Sequence, residues 1–200
     1  MIRRSPIPWI VISLALLAGC AEAPTEKLEQ VEKAMADARA AEAKQYAPEA
    51  WADLRDQQVR LQAELKAQKN KLGVRRSYDE TEKLAEQTRQ AAEDAAATAI
   101  AAKEQVRGEA FALIADARVK LEELHELIKG APRGKGSDAD LAVLKSDAGE
   151  LKLTIDAGEE AYEMGDYLTA KVKAEAAIRT VEEIKAEIES AKRMSGRTAS

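Results

Sequence analysis

Few residues in this 200-residue chain have types and spacing that could do chemistry. Glu122-x-x-His125 has the spacing with which bundle helices present a carboxylate and an imidazole to a pair of metal ions. Such centres take a second Glu-x-x-His from a facing helix, and His125 is the one histidine in the sequence. The pair therefore reads as a solvated helix surface beside Leu124 and Glu126, and neither a metal nor another cofactor is expected. The doublets Glu122-Glu123, Glu159-Glu160 and Glu182-Glu183 supply carboxylates, which in a helical sequence of this kind read as solvated faces. There is no nucleophile beside a base, no phosphate-cradling glycine loop and no cysteine cluster in the sequence. No catalytic residue is assigned, and the chain is not read as an enzyme.

The single cysteine, Cys20, cannot form an internal disulfide, so its position carries the information. Arg3 and Arg4 precede an apolar run from Ile7 to Leu17 that ends in small residues, the layout of a secretory signal peptide over residues 1–19. The run is too short to span a bilayer comfortably. Leu17-Ala18-Gly19-Cys20 resembles the lipobox of bacterial lipoproteins. The resemblance implies cleavage before Cys20, diacylglyceryl transfer to its thiol and acylation of the new amino terminus. Several acyl chains make a stable anchor, because each buried methylene contributes ~0.8 kcal/mol. Alanine at position 21 resembles the outer-membrane sorting pattern, which implies a periplasmic chain held at the outer membrane. Residues 20–24 are then the lipidated start and a short linker.

Composition points to helices. The chain is 46% hydrophobic and 34% charged, with alanine by far the commonest apolar residue, which suits long helices or coiled coils and not a sheet-containing enzyme. Without Arg3 and Arg4, 29 basic residues stand against 36 acidic ones, a net charge of −7, which argues against nucleic acid as a partner.

The elements follow from spacing. Thr25 is the candidate N-cap of a first helix that carries Leu28, Val31, Met35 and Ala38 and ends near Tyr46. Pro48 suits the first position of a second helix, with Trp51, Leu54, Leu61 and Leu65 on its seam and Gly73 as its C′ residue. Ser77 and Glu80 have the spacing of a capping box. From there to Lys129 the sequence has no proline and only Gly108, so one helix of about 53 residues and ~80 Å is expected. Gly130-Ala131-Pro132 stops it, Ser137 and Asp140 cap a fourth helix, Asp166 caps a fifth, and residues 194–200 should fray. The seam Trp51–Leu72 maps onto Leu141–Tyr162, and Tyr78–Ala102 maps onto Tyr167–Ala191. The expected fold is all-α: an elongated tandem of two antiparallel three-helix bundles, residues 25–107 and 108–193, sharing one long continuous helix. Spectrin-type arrays are linked in this way, but no spectrin signature occurs in the sequence.

Counting helical rise places Pro48 near the height of residue 102 and Gly165 near 103. Tyr46, Trp51, Phe111, Tyr162 and Tyr167 should therefore gather at mid-rod. Aromatic side chains beside small ones can form a groove for a partner helix or peptide, and they can equally fill the space where two bundles meet. Arg75-Arg76 falls at the membrane-near end, where it can meet anionic headgroups or keep a turn soluble.

The stretch from Ala34 to Ala97, with Tyr46-Ala47-Pro48, Tyr78 and Leu84-Ala85-Glu86 in an alanine-rich setting, resembles a bacterial lipoprotein domain family of unassigned function. Gly165-Asp166-Tyr167-x-x-Ala170 looks like the turn of a tetratricopeptide repeat, although the flanking helices are far longer than that repeat allows. The expected function is a lipid-anchored periplasmic scaffold or spacer that holds an envelope protein or cell-wall component. The alternative is an adaptor or chaperone-like module that binds peptide or helical segments at the aromatic groove. Self-association through the alanine seams is open.

Overall fold

The computed structural model of the chain describes residues 22–130 and 137–198. The expected signal peptide, Cys20 and residues 131–136 lie outside them, as do the side chains proposed to cap the fourth helix. The elements are α1 (Thr25–Ala40), α2 (Ala43–Tyr46), α3 (Pro48–Lys69), a 3-10 turn (Gly73–Arg75), α4 (Asp79–Lys129), α5 (Ser137–Glu163) and α6 (Tyr167–Thr198). No strand occurs among the described residues, and the fold is an all-α helical bundle. None of the helices in the described residues is long and apolar enough to cross a membrane.

The 51 residues of α4 organise the rest. Strong helix formers fill it, Asp79, Glu80 and Glu82 occupy its first turn, and Lys129 its last, each end opposing the helix dipole. It passes Gly108 without a break, and a Cβ there would meet nothing within 4 Å. Every other helix packs against α4, and α5 also packs on α6. Lys171–Glu109 at 2.5 Å and Lys120–Glu182 and Lys185–Glu123 at 2.6 Å each join α4 to a residue 62 positions on, so α6 runs parallel to α4. The α5 helix runs the other way and pairs Glu159 with Arg118. Lys27–Glu82 at 2.6 Å and Glu42–Lys103 at 2.7 Å run α1 parallel to the first half of α4.

Three side-chain clusters follow one another along α4. The first gathers Val31, Met35, Leu54 and Leu61 against Ala85, Ala92, Ala95 and Ala99. A small middle cluster joins Ala110 and Ile114 to Ala161, Ala170 and Ala174. The third is richer in branched side chains, with Leu121, Leu124, Ile128, Ile155, Val181, Ile184 and Ile188. Alanines on α4 let both α1 and α3 approach it closely. The backbones of α1 and α3 nevertheless stay more than 8 Å apart (Cα–Cα), although both contribute to the first cluster, so this half is flatter than a symmetric three-helix bundle.

Burial repeats along the chain. The α4 residues Thr81, Ala85, Thr88, Ala92, Ala95 and Ala99 are buried, and so are Ala170, Ala174, Ala177, Val181, Ile184 and Ile188 at corresponding positions of α6. Val31, Met35 and Ala38 of α1 correspond in the same way to Ala117, Leu121 and Leu124 in the second half of α4. The second half of α4 therefore opens the second repeat, as the seams of the sequence require.

Several expected ends are displaced. The first helix does not reach Tyr46 unbroken: Glu42 takes a left-handed backbone (φ 57°), separating α1 from α2. Thr25 is the first helical residue, and Pro24 holds the cap position without a side-chain bond. The α3 helix ends at Lys69, well short of Gly73, because buried Gln68 ties down the turn: its carbonyl accepts the Ser77 N–H at 3.2 Å and its amide donates to Glu64 at 2.5 Å. The Ser77–Glu80 box does not form, since Tyr78 caps α4 and the Ser77 hydroxyl donates to Asp79 at 2.9 Å. Asp166 does cap α6, accepting the Thr169 N–H at 3.1 Å. Residues 194–198, expected to fray, continue α6.

Candidate functional site

The α2–α3 junction, the middle of α4 and the α5–α6 turn meet where the helical rise placed them. Gly165 makes this turn possible. With φ of +81° it closes α5 by accepting the left-handed conformation, its N–H bonding Tyr162 O at 3.0 Å while the Asp166 N–H bonds Ala161 O at 2.9 Å. The chain thereby reverses within three residues and sets Tyr162 and Tyr167 side by side, ring centroids 5.1 Å apart and tilted by 55°. Phe111, one turn-face away on α4, lies 6.1 Å from Tyr162.

Lys103 is the centre of the site, and sequence reasoning did not name it. Its ammonium lies 5.5 Å from the Tyr46 ring centroid, 6.0 Å from that of Tyr167 and 2.7 Å from the Glu42 carboxylate. One side chain on α4 thus holds the residue before α2, α2 itself and the start of α6. The hydrogen bond to Glu42 lifts the Lys103 pKa above its usual range, against some desolvation. The signal available beforehand was the height count, which put both turns beside residues 102 and 103.

Tyr46 is 7% exposed, and its hydroxyl has no hydrogen-bond partner of ordinary geometry. Burial pushes its pKa above 10.0; Lys103 and the Tyr167 amide oppose that, while Glu42 and Asp166 add to it. The Tyr162 hydroxyl and then Glu104 raise the pKa of the Arg107 guanidinium.

The five expected aromatics do not form one exposed groove. Tyr46 is core; Trp51 is half-buried against the first cluster and makes no ring contact among the described residues; Tyr162 and Tyr167 are half-buried. Phe111, at 64% exposure, is the ring that faces outward. The reason is that Tyr46 precedes a proline-started helix and is carried inward under Lys103, whereas Phe111 stands off the buried Ala110–Ile114 face of α4.

Five of the six doublet carboxylates are exposed, as expected of solvated faces, and Glu159 is half-buried. One member of each reaches across to another helix: Glu123 to Lys185, Glu159 to Arg118 and Glu182 to Lys120. An open surface groove of about 690 Å³ is lined by Val119, Glu122, Glu123, Glu126, Leu127 and Lys185. Two of its three glutamates are already paired, Glu123 with Lys185 and Glu126 with Lys129. Among the described residues no group of three or more His, Cys, Asp or Glu side chains is arranged to hold a metal ion, and Glu122 and His125 belong to none. No protein-family model, curated protein or solved structure matches the chain.

Proposed function

We propose that the protein is a lipid-anchored periplasmic scaffold that spaces a partner from the outer membrane, without catalysis of its own. The observation that carries this reading is α4, whose 51 uninterrupted residues run through all three clusters. At 1.5 Å per residue that is a ruler of ~77 Å, stiffened on its flanks by every other helix. Several charged side chains serve to hold helices together, Glu123, Glu159 and Glu182 among them. Lys103 clasps three elements, and the interhelical carboxylates are paired. The lipobox at Leu17–Cys20 supplies the membrane end of the scaffold, and an envelope protein or cell-wall component is the object held at the other.

The exposure of Phe111 beside Tyr162 supports a second reading, an adaptor that grips a peptide or helical segment of a client at mid-rod. Two measurements on the full chain in bacterial cells test these. With a clickable fatty acid, the parent chain should become labelled and sediment with outer membranes, while Cys20→Ser should be unlabelled and released; equal behaviour of the two overturns the anchored scaffold. A photo-crosslinker at Phe111, with one at exposed Glu183 as control, separates the roles. Capture of one envelope protein from position 111 alone makes the adaptor reading correct, and capture from neither leaves the spacer.

A further inference from the structure

The turn between α3 and α4 combines cations and apolar side chains that the fold leaves uncovered. From Lys66 to Arg76 the sequence holds Lys66, Lys69, Lys71, Arg75 and Arg76 and no acidic residue. None of these five has an ion-pair partner among the described residues. Within the same turn Leu72 is 70% exposed and Val74 79% exposed. The exposure is built in. Gln68 is buried and holds the Ser77 amide, and the Arg76 guanidinium donates to Lys71 O at 3.1 Å and Lys69 O at 3.3 Å, so the segment between them is tied at both ends and its apolar side chains are pushed outward.

The same end of the molecule carries the start of the folded chain. Lys27, in the first turn of α1, pairs with Glu82, in the first turn of α4, so Pro24 and the Leu72–Arg76 turn lie at one tip. Pro24 lies four residue steps from Cys20, a reach of at most ~14 Å. We propose that this tip is a membrane-docking surface, in which Leu72 and Val74 enter the headgroup layer of an anionic phospholipid bilayer and the surrounding Lys and Arg side chains meet its phosphates. Charge decides the occupant. The chain after the leader is acidic overall, whereas Lys66–Arg76 concentrates five cations without an acid beside two exposed apolar side chains; screening over ~8 Å lets the turn act alone when the rod stands on end. Docking fixes the rod upright and sets the direction in which its length is used.

The inference rests on the anchored reading for its biological setting, and the test supplies the anchor chemically so that the two can fail separately. All described helices and all three clusters are drawn from residues after Pro24, so the chain from residue 20 retains the whole core. Its one thiol, Cys20, couples to a maleimide-headgroup lipid in vesicles. Tryptophan placed by Val74→Trp, or by Val119→Trp on the exposed surface of the second half of α4 as control, reports depth through quenching by brominated lipids, with Trp51 subtracted from the parent. In vesicles of brominated phosphatidylglycerol and phosphatidylcholine, quenching at position 74 should exceed that at 119 several-fold. It should fall at least twofold in purely zwitterionic vesicles and in the Lys71→Gln/Arg75→Gln variant, which keeps the Arg76 bonds of the turn. Equal quenching at 74 and 119, or quenching at 74 indifferent to lipid charge, overturns the proposal and leaves the tip for a protein or cell-wall partner.

Discussion

Tyr46 concentrates the energetic conflict at the middle of the molecule. Its ring packs in the first cluster and faces the Lys103 ammonium, while its hydroxyl is buried without a full hydrogen bond. A buried hydroxyl left unpaired costs about 1–3 kcal/mol. Tyr46→Phe keeps the ring and removes the unpaired group, so stability in urea should be unchanged or raised by up to ~1 kcal/mol. A loss larger than that would mean the hydroxyl is bonded in solution. The substitution also has a pH signature. Burial raises the Tyr46 pKa, so the unfolded chain gives up this proton first and stability falls as pH climbs above 10.0. Melting curves from pH 8 to 11 should therefore decline less steeply for Tyr46→Phe. Part of the decline should persist, because Lys103 also has a raised pKa.

At the level of elements, two glycines in similar sequence settings have opposite effects. Gly108 lies inside α4 with helical geometry and open space around its Cβ position. Gly108→Ala should stabilise the chain by about 0.8–1 kcal/mol through helix propensity alone. Gly165 also has open space, but its φ of +81° is the left-handed conformation that closes α5. Gly165→Ala should cost about 1–2 kcal/mol and loosen the Tyr162–Tyr167 contact. Thermal melts of the two single variants check both signs. Gly158 differs from either, since a Cβ there would stand 3.4 Å from the Lys173 Cβ where α5 crosses α6. The Glu42 break has no glycine to announce it. A left-handed glutamate is held there because its carboxylate meets Lys103 and because α2 must turn Tyr46 inward.

The whole molecule is a stack of unequal cores joined by exposed ion pairs. Glu109, Glu123 and Glu182 have pKa values below the usual carboxylate range because Lys171, Lys185 and Lys120 bond to them, and Arg89 does the same for Glu86. Carboxylates with depressed folded values contribute stability that is present above about pH 4.5 and is lost as pH falls through those lower values. Lys120 and Lys171 are raised and contribute stability that disappears as pH rises past their ordinary range. The melting temperature should therefore be highest on a plateau around neutrality and fall on both sides. Scanning calorimetry at pH 3, 7 and 11 checks this. High salt should lower the neutral value only slightly, because the pairs are solvent-exposed.

Local spacing determined a good deal by itself. A stretch without proline from Ser77 to Lys129 had to read as one helix, the apolar seams placed its buried face, and Asp166 stood where a cap was needed. The repeat was legible because burial follows helical periodicity, and periodicity survives in the sequence even when leucine is exchanged for alanine. Periodicity reports which face is buried, however, and not what that face meets. Only the packed chain decided that Lys103 would clasp Glu42, Tyr46 and Tyr167, and that one glutamate of each doublet would reach a neighbouring helix. It also decided that Gln68 would be buried and end α3 early, and that Phe111 would face outward while Tyr46 went inside. These outcomes depend on the relative height and rotation of helices far apart in the chain, which are set by how closely alanine lets them approach and how far longer side chains hold them apart.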